Sequence, residues 1–176
     1  TFSVGEYDWA MDKQPERRGW VWHSATKAGQ FETASNVFDF STLFTLRDNK
    51  ANYRAWYGLG LGIGLVGDNS DGHAWRNRAV TFVENHDTGY RKKEDGNPEK
   101  DHEHDSFANN WEVEQGYAQI LTHPGVPTVF WKHYFDWGQD LQDKIRALIN
   151  ARKVAGVNAG SMLHTQSNAQ ANGVYA

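Results

Sequence analysis

Four consecutive polar residues, Glu84, Asn85, His86 and Asp87, follow directly on the apolar, β-branched run Arg78-Ala79-Val80-Thr81-Phe82-Val83. Such a run predicts a strand buried on both faces of a parallel sheet. Two carboxylates, an amide and an imidazole delivered at the carboxyl end of such a strand are suited to proton transfer and to binding hydroxyl groups, and α/β folds keep their active sites there. The same arrangement recurs along the chain. Phe2-Ser3-Val4-Gly5 ends in Glu6, with Tyr7 and Trp9 close behind. Asn36-Val37-Phe38 ends near Asp39 and Ser41, and Val126 to Trp131 ends in Lys132, His133, Tyr134 and Asp136. Aromatic residues make up 14% of the sequence. Tyr7, Trp9, Tyr90, Trp131, Tyr134 and Trp137 sit beside these polar groups, a mixture of flat rings and placed polar atoms that suits a sugar cleft.

Helices must separate the strands for all four to run parallel. Trp111 to Thr122 predicts one, with Tyr117, Ile120 and Leu121 on its apolar face and His123-Pro124-Gly125 as its stop. Leu141 to Val154 predicts another, from Leu141, Ile145, Leu148, Ile149 and Val154, with Arg152 and Lys153 in the last turn before Gly156. Leu43 to Tyr57 reads as a helix broken near Asp48-Asn49, and Trp20 to Ser35 as a weaker one. Asp12 to Arg18, which contains Pro15, reads as a loop. Gly58-Leu59-Gly60-Leu61-Gly62-Ile63-Gly64 lacks the flanks of a dinucleotide fingerprint and reads as a packed, flexible connector. The polar segment from Gly89 to Asn109 contains Asp101-His102-Glu103-His104-Asp105. Those side chains are able to hold a cation, or to form a solvated loop tip.

Length and composition set the frame. A chain of 176 residues supports one core. A net charge of −4 with pI near 6.0 offers no basic face for nucleic acid. No run is long and apolar enough for a membrane helix, and no signal-peptide pattern precedes the first strand. Cysteine is absent, which removes disulfides and thiol chemistry. Four strand–helix units suggest an α/β fold: either half of a (β/α)₈ barrel or a doubly wound sheet.

Phe82-Val83-Glu84-Asn85-His86-Asp87-Thr88 resembles the "FVDNHDT" signature of the α-amylase family of glycoside hydrolases, with Glu84 in place of the usual Asp. Gln115 to Gly125 is similar to the seventh barrel helix of plant-type and maltooligosaccharide-forming bacterial α-amylases. Val129 to Gly138, with Phe135-Asp136-Trp137-Gly138, resembles their eighth strand and the loop after it. Phe2 to Glu6 looks like the fifth strand and Asn36 to Ser41 like the sixth. The resemblance implies residues 1–157 as the carboxyl-terminal half of a (β/α)₈ barrel, strands 5 to 8, and residues 158–176 as the beginning of a carboxyl-terminal β domain. It implies Glu6 as the general acid/base, its carboxyl raised by an apolar setting of Phe2, Val4 and nearby rings. It implies Asp87 as the transition-state carboxylate and His86 as a sugar ligand, with Tyr7, Trp9 and Lys132 as further subsite candidates. Without the resemblance, Glu6 reads first as a strand-end carboxylate paired to a neighbouring base, and His86–Asp87 equally as a structural contact.

The sequence also departs from the family in what it lacks. The Gly-x-Arg-x-Asp phrase that carries the family's nucleophile is absent, as are strands one to four and the usual calcium ligands. A retaining glycosidase needs both an acid and a nucleophile. The implied substrate is starch or maltooligosaccharide, and the implied location is outside the cell. The resemblance leaves open a calcium ion as cofactor, although its usual ligands are missing from this chain. The chain then reads as part of an α-amylase that needs its other half, as a hydrolase completed by association through open sheet edges with Glu84 or Asp136 recruited, or as a non-catalytic starch-binding or structural piece.

Overall fold

The computed structural model describes residues 2–7, 14–25, 30–50, 52–69, 72–87, 90–92, 98–100, 107 and 109–164. Four short strands, β1 (Val4–Gly5), β2 (Asn36–Phe38), β3 (Ala79–Thr81) and β6 (Val126–Pro127), pair in that order and all run parallel. The fold is α/β, and this sheet with its crossover helices corresponds to half of a (β/α)₈ barrel. Pairing extends past the strands proper. Asn36 N–H reaches Ser3 O at 3.0 Å, Asp39 N–H reaches Val80 O at 2.9 Å, and Thr128 N–H reaches Thr81 O at 2.8 Å. A separate antiparallel pair, β4 (Tyr90–Lys92) with β5 (Pro98–Lys100), lies within the polar segment that reads as a loop.

Burial on both faces holds for the middle of the sheet only. All of β3 is buried, whereas β6 is half-buried and Val4 of β1 is 39% exposed. β1 and β6 are the edge strands, so each has a neighbour on one side alone. The expected strand from Val126 to Trp131 is also shorter than its composition suggests. Trp131 opens a helix, α5 (Trp131–Phe135), and its ring is exposed.

The first crossover helix, α1 (Gln14–His23), covers residues read as a loop and ends where a helix was expected to be starting. Pro15 lies in its first turn, where the missing N–H has no helical partner to lose. Gln14, Arg17 and Val21 recur on one face and are buried, and Trp20 lies over Gly5 so closely that a Cβ there would stand 2.1 Å from the ring. Helix α2 (Phe40–Asp48) is capped by Asp39, and α3 (Tyr53–Trp56) follows after a break at Asn49, as expected. The glycine-alternating stretch packs as a short 3₁₀ turn, Tyr57–Leu61, closed by Gly62 at φ 99°.

Helices α4 (Asn110–Thr122) and α6 (Gln139–Ala155) cover the β3–β6 side. Asn109 caps α4 by accepting from Glu112 N–H at 3.0 Å. Gly116 lets α4 approach β3, because a Cβ at that position would come within 2.9 Å of a Val83 methyl. In α6, Leu141 and Ile145 are fully buried and Leu148 and Ile149 pack against the same core. Val154, counted in that stripe from the sequence, is exposed, since it falls five residues past Ile149 and off the apolar face. Gly156, at φ 69°, ends the helix with its N–H on the carbonyl of Lys153 at 3.2 Å. Arg152 turns back across α4's carboxyl end. Its guanidinium donates to the carbonyls of Leu121 (3.2 Å), His123 (2.5 Å) and Gly125 (2.8 Å), which that helix and turn leave unpaired.

Of the expected β domain, residues 158–164 form a turn and extended chain, and residues 165–176 lie outside the described residues. No helix among the described residues is long and apolar enough to cross a membrane.

Candidate active site

Parallel strands bring their carboxyl ends to one rim. The register aligns Glu6 with Phe38 and Val80, one residue past the last β1 partner pair and level with the end of β2. Glu6 and the Glu84–Asp87 segment therefore follow the same ends of β1 and β3, strands that lie two spacings or about 10 Å apart across the sheet, with Glu84 four residues beyond the level of Glu6. Glu6 is exposed, as are Phe2 and Val4, so the apolar setting expected around its carboxyl is not formed by these residues. Tyr7 alternates with Glu6 and faces the other way. Its ring stacks on Trp20 of α1 at 6.1 Å, on the helix-covered side. Trp9 and the Asp101–Asp105 cluster lie outside the described residues.

The four polar residues after β3 divide their tasks sharply. Glu84 turns inward and is buried. Asn85 accepts the Asp87 N–H on its side-chain oxygen at 3.0 Å, an Asx turn that reverses the chain. His86 and Asp87 consequently face outward, their side chains 75% and 41% exposed, with Nε2 to Oδ2 at 3.3 Å. This is the structural contact open to a His–Asp pair, and it leaves both side chains accessible from the rim.

Glu84 is enclosed by the β6 side. Its carboxyl group lies against Nε2 of His133, a close contact without the alignment of a hydrogen bond. His133 is fully buried, and its Nδ1 is 3.0 Å from the Tyr117 hydroxyl of α4, which accepts the Phe130 N–H at 3.0 Å. Phe130 and Trp137 set their rings edge-on to the imidazole at 5.3 and 4.8 Å. Burial raises the Tyr117 phenol and the nearby Glu84 charge adds to that shift. A carboxylate so enclosed is not open to a sugar, which removes Glu84 as a substitute nucleophile in this conformation. Lys132 is half-buried on α5. Trp131 and Phe135 of the same helix lie tilted against each other, ring centroids 4.2 Å apart, and are exposed, an aromatic patch that the strand reading of this stretch conceals.

Asp39, at the end of β2, is fully buried and fully engaged. It accepts from Thr42 N–H (3.2 Å), Thr42 Oγ1 (2.7 Å) and Leu65 N–H (2.9 Å). Burial pushes its carboxyl up, while the Thr42 and Leu65 hydrogen bonds and the Arg17 charge oppose that shift. Its work is to join α2 to the following connector. Among the described residues no group of three or more His, Asp or Glu side chains is placed to hold a metal ion.

Comparison with known proteins supplies the family. The chain is 37% identical over 152 residues to the probable α-amylase 2 of Arabidopsis thaliana, covering 84% of this chain and 32% of that protein. It is 45% identical over 93 residues to a glucan 1,4-α-maltotetraohydrolase of Stutzerimonas stutzeri, covering 53% of this chain and 16% of that one. The chain belongs with the α-amylases. A third α-amylase, the type B isozyme of Hordeum vulgare, is 39% identical over 94 residues, 51% of this chain and 50% of its own length. The chain thus spans half or less of each of these α-amylases. No family model matches it. Within this α-amylase half-barrel, the side chains that sequence reasoning underrated are Tyr117 and His133. No local pattern marks them: Tyr117 reads as part of an apolar helix face and His133 as one of several polar residues after a strand.

Proposed function

We propose that the chain forms the strand 5 to strand 8 side of an α-amylase active site acting on α-1,4-glucan bonds of starch and maltooligosaccharides with retention of configuration. Glu6 protonates the glycosidic oxygen as its bond to C1 breaks, and as carboxylate later takes a proton from the attacking water. Asp87 bonds sugar hydroxyls and steadies positive charge developing on the ring, and His86 binds the same sugar. Lys132 borders a subsite, as does Trp9, whereas Tyr7, stacked on Trp20 of α1, backs the strand that carries Glu6 to the rim. The nucleophile that takes C1 is supplied by polypeptide that completes the sheet beside β1, because this sequence lacks the family phrase for it. Residues 158–176 begin the family's carboxyl-terminal β domain, and action outside the cell belongs to the same reading.

The observation that carries this proposal is the common direction of the four strands, which sends Glu6 and the His86-Asp87 turn to the same rim. The experiment is soluble-starch hydrolysis and maltooligosaccharide binding by the purified chain, beside Glu6→Gln and Asp87→Asn. Turnover lost in both variants supports a hydrolase completed by association. Binding without turnover, weakened by Asp87→Asn, supports an incomplete site. Absence of both sinks the sugar reading for this chain and leaves a structural piece.

A further inference from the structure

The proposed reaction gives Glu84 no task, yet its carboxyl group is held in a dry interior, where a polar group needs polar partners. The pairing runs through three elements. Phe130 N–H donates to the Tyr117 oxygen, which leaves the phenol proton free for another acceptor. The neighbour is Nδ1 of His133, at 3.0 Å. Nε2 of the same ring faces the Glu84 carboxylate and must carry the proton, since a bare lone pair there would be repelled. The order is then Phe130 N–H to Tyr117, Tyr117 O–H to His133 Nδ1, and His133 Nε2–H towards Glu84. Tyr117 and His133 are both fully buried, so neither meets substrate and the trio is not a nucleophile relay.

The geometry points to Glu84 as a positioning residue: through His133 and Tyr117 it anchors the Asn85 turn to α4 and α5 and so sets where His86 and Asp87 stand on the rim. Four observations agree. Glu84 immediately precedes the turn, the turn is closed by Asn85 on Asp87 N–H, His86 and Asp87 are accessible, and Gly116 allows α4 close enough for Tyr117 to reach His133. The inference rests on the proposal that His86 and Asp87 face the sugar, and its test separates the two.

The test uses the purified chain labelled with ¹⁵N. In the unaltered chain the His133 ring is expected as the Nε2–H tautomer, with Nδ1 unprotonated. Glu84→Gln keeps the shape and removes the charge. It is expected to disturb that tautomer, to speed amide exchange at Asn85, His86 and Asp87 at least tenfold, and to weaken maltooligosaccharide binding at least tenfold, while Val37 and Phe38 exchange as before. Glu84→Asp, which restores the charge, recovers most of the protection. Tyr117→Phe cuts the relay at its other end and carries the same readout if Glu84→Gln does not fold. Unchanged exchange at residues 85–87 in both Glu84→Gln and Tyr117→Phe overturns the anchor, as does undiminished sugar binding by Glu84→Gln. An unaltered chain that binds no maltooligosaccharide sinks the sugar reading, and exchange alone then decides the anchor.

Discussion

The two sides of the sheet are built differently. On the β3–β6 side, α4 and α6 close over Phe82 and Val83, Arg152 clamps the end of α4, and Glu84 is locked into His133 and Tyr117. On the β1 side, the strand carrying Glu6 has two residues, and Phe2, Val4 and Glu6 are open to solvent. The proposed stabiliser, Asp87, thus stands on a finished support, and the proposed acid, Glu6, on an edge that still has a side to cover. The contrast separates what a half-barrel can organise alone from what it needs a neighbour to organise. A turn can be fixed by side chains beneath it. The dry setting that tunes a general acid requires a wall, and the next strand would supply it.

This contrast is open to direct attack by substitution. Ile120→Ala, in the core of the closed side, is expected to cost about 2–5 kcal/mol, read as a drop in the urea midpoint at constant slope. A loss below ~1 kcal/mol there would mean that the closed side is not the main store of stability. Arg152→Ala leaves three carbonyls without their donor and should cost about 1.5–3 kcal/mol. Amide exchange ought to rise first at Gly125 and Val126, where the α4 turn feeds β6.

A pH scan tests the same corner. Burial pushes the His123 imidazole down from 6.5 to about 4, with Arg152 adding to the effect and the Gln119 carbonyl opposing it. The folded chain therefore holds His123 neutral while the unfolded chain takes up a proton below about 6.5. Stability from this group is complete above that pH and drains away as pH falls towards about 4. The expected loss is on the order of 2 kcal/mol. His123→Gln should flatten that part of the profile, and an unchanged slope would exclude His123 as its source.

The open side should respond in the opposite manner. Val4→Lys is expected to change the folding free energy by less than ~0.5 kcal/mol, because the side chain already meets solvent. It should, however, move sedimentation of the chain towards a single small species, since a charge on an edge strand opposes strand-to-strand association. Sedimentation as a compact monomer before the change would remove self-association as the way this edge is covered.

The β3 region was legible in the sequence because its pattern is strong at every level: a β-branched run, then four polar residues, with an amphipathic helix and its stop downstream. Helices α4 and α6 follow from their 3.6-residue apolar spacing for the same reason. The reading failed where a local rule met a tertiary condition. Pro15 suggested a loop, but the first turn of a helix tolerates proline. Val129, Phe130 and Trp131 suggested a long strand, but the chain bends into α5, where His133 turns inward to Glu84 and Trp131 outward to solvent.

By itself the sequence determined the order of the four parallel strands, helices α4 and α6, the family, and the presence of an acid after the first strand and a His–Asp pair after the third. Each of these depends on neighbours along the chain and survives without a fold. Only the tertiary structure decided that Glu84 and Asp87, three positions apart, have opposite fates, one sealed against His133 and the other accessible on the rim. Burial is set by what packs across from a residue, and His133 and Tyr117 arrive there from segments far along the sequence.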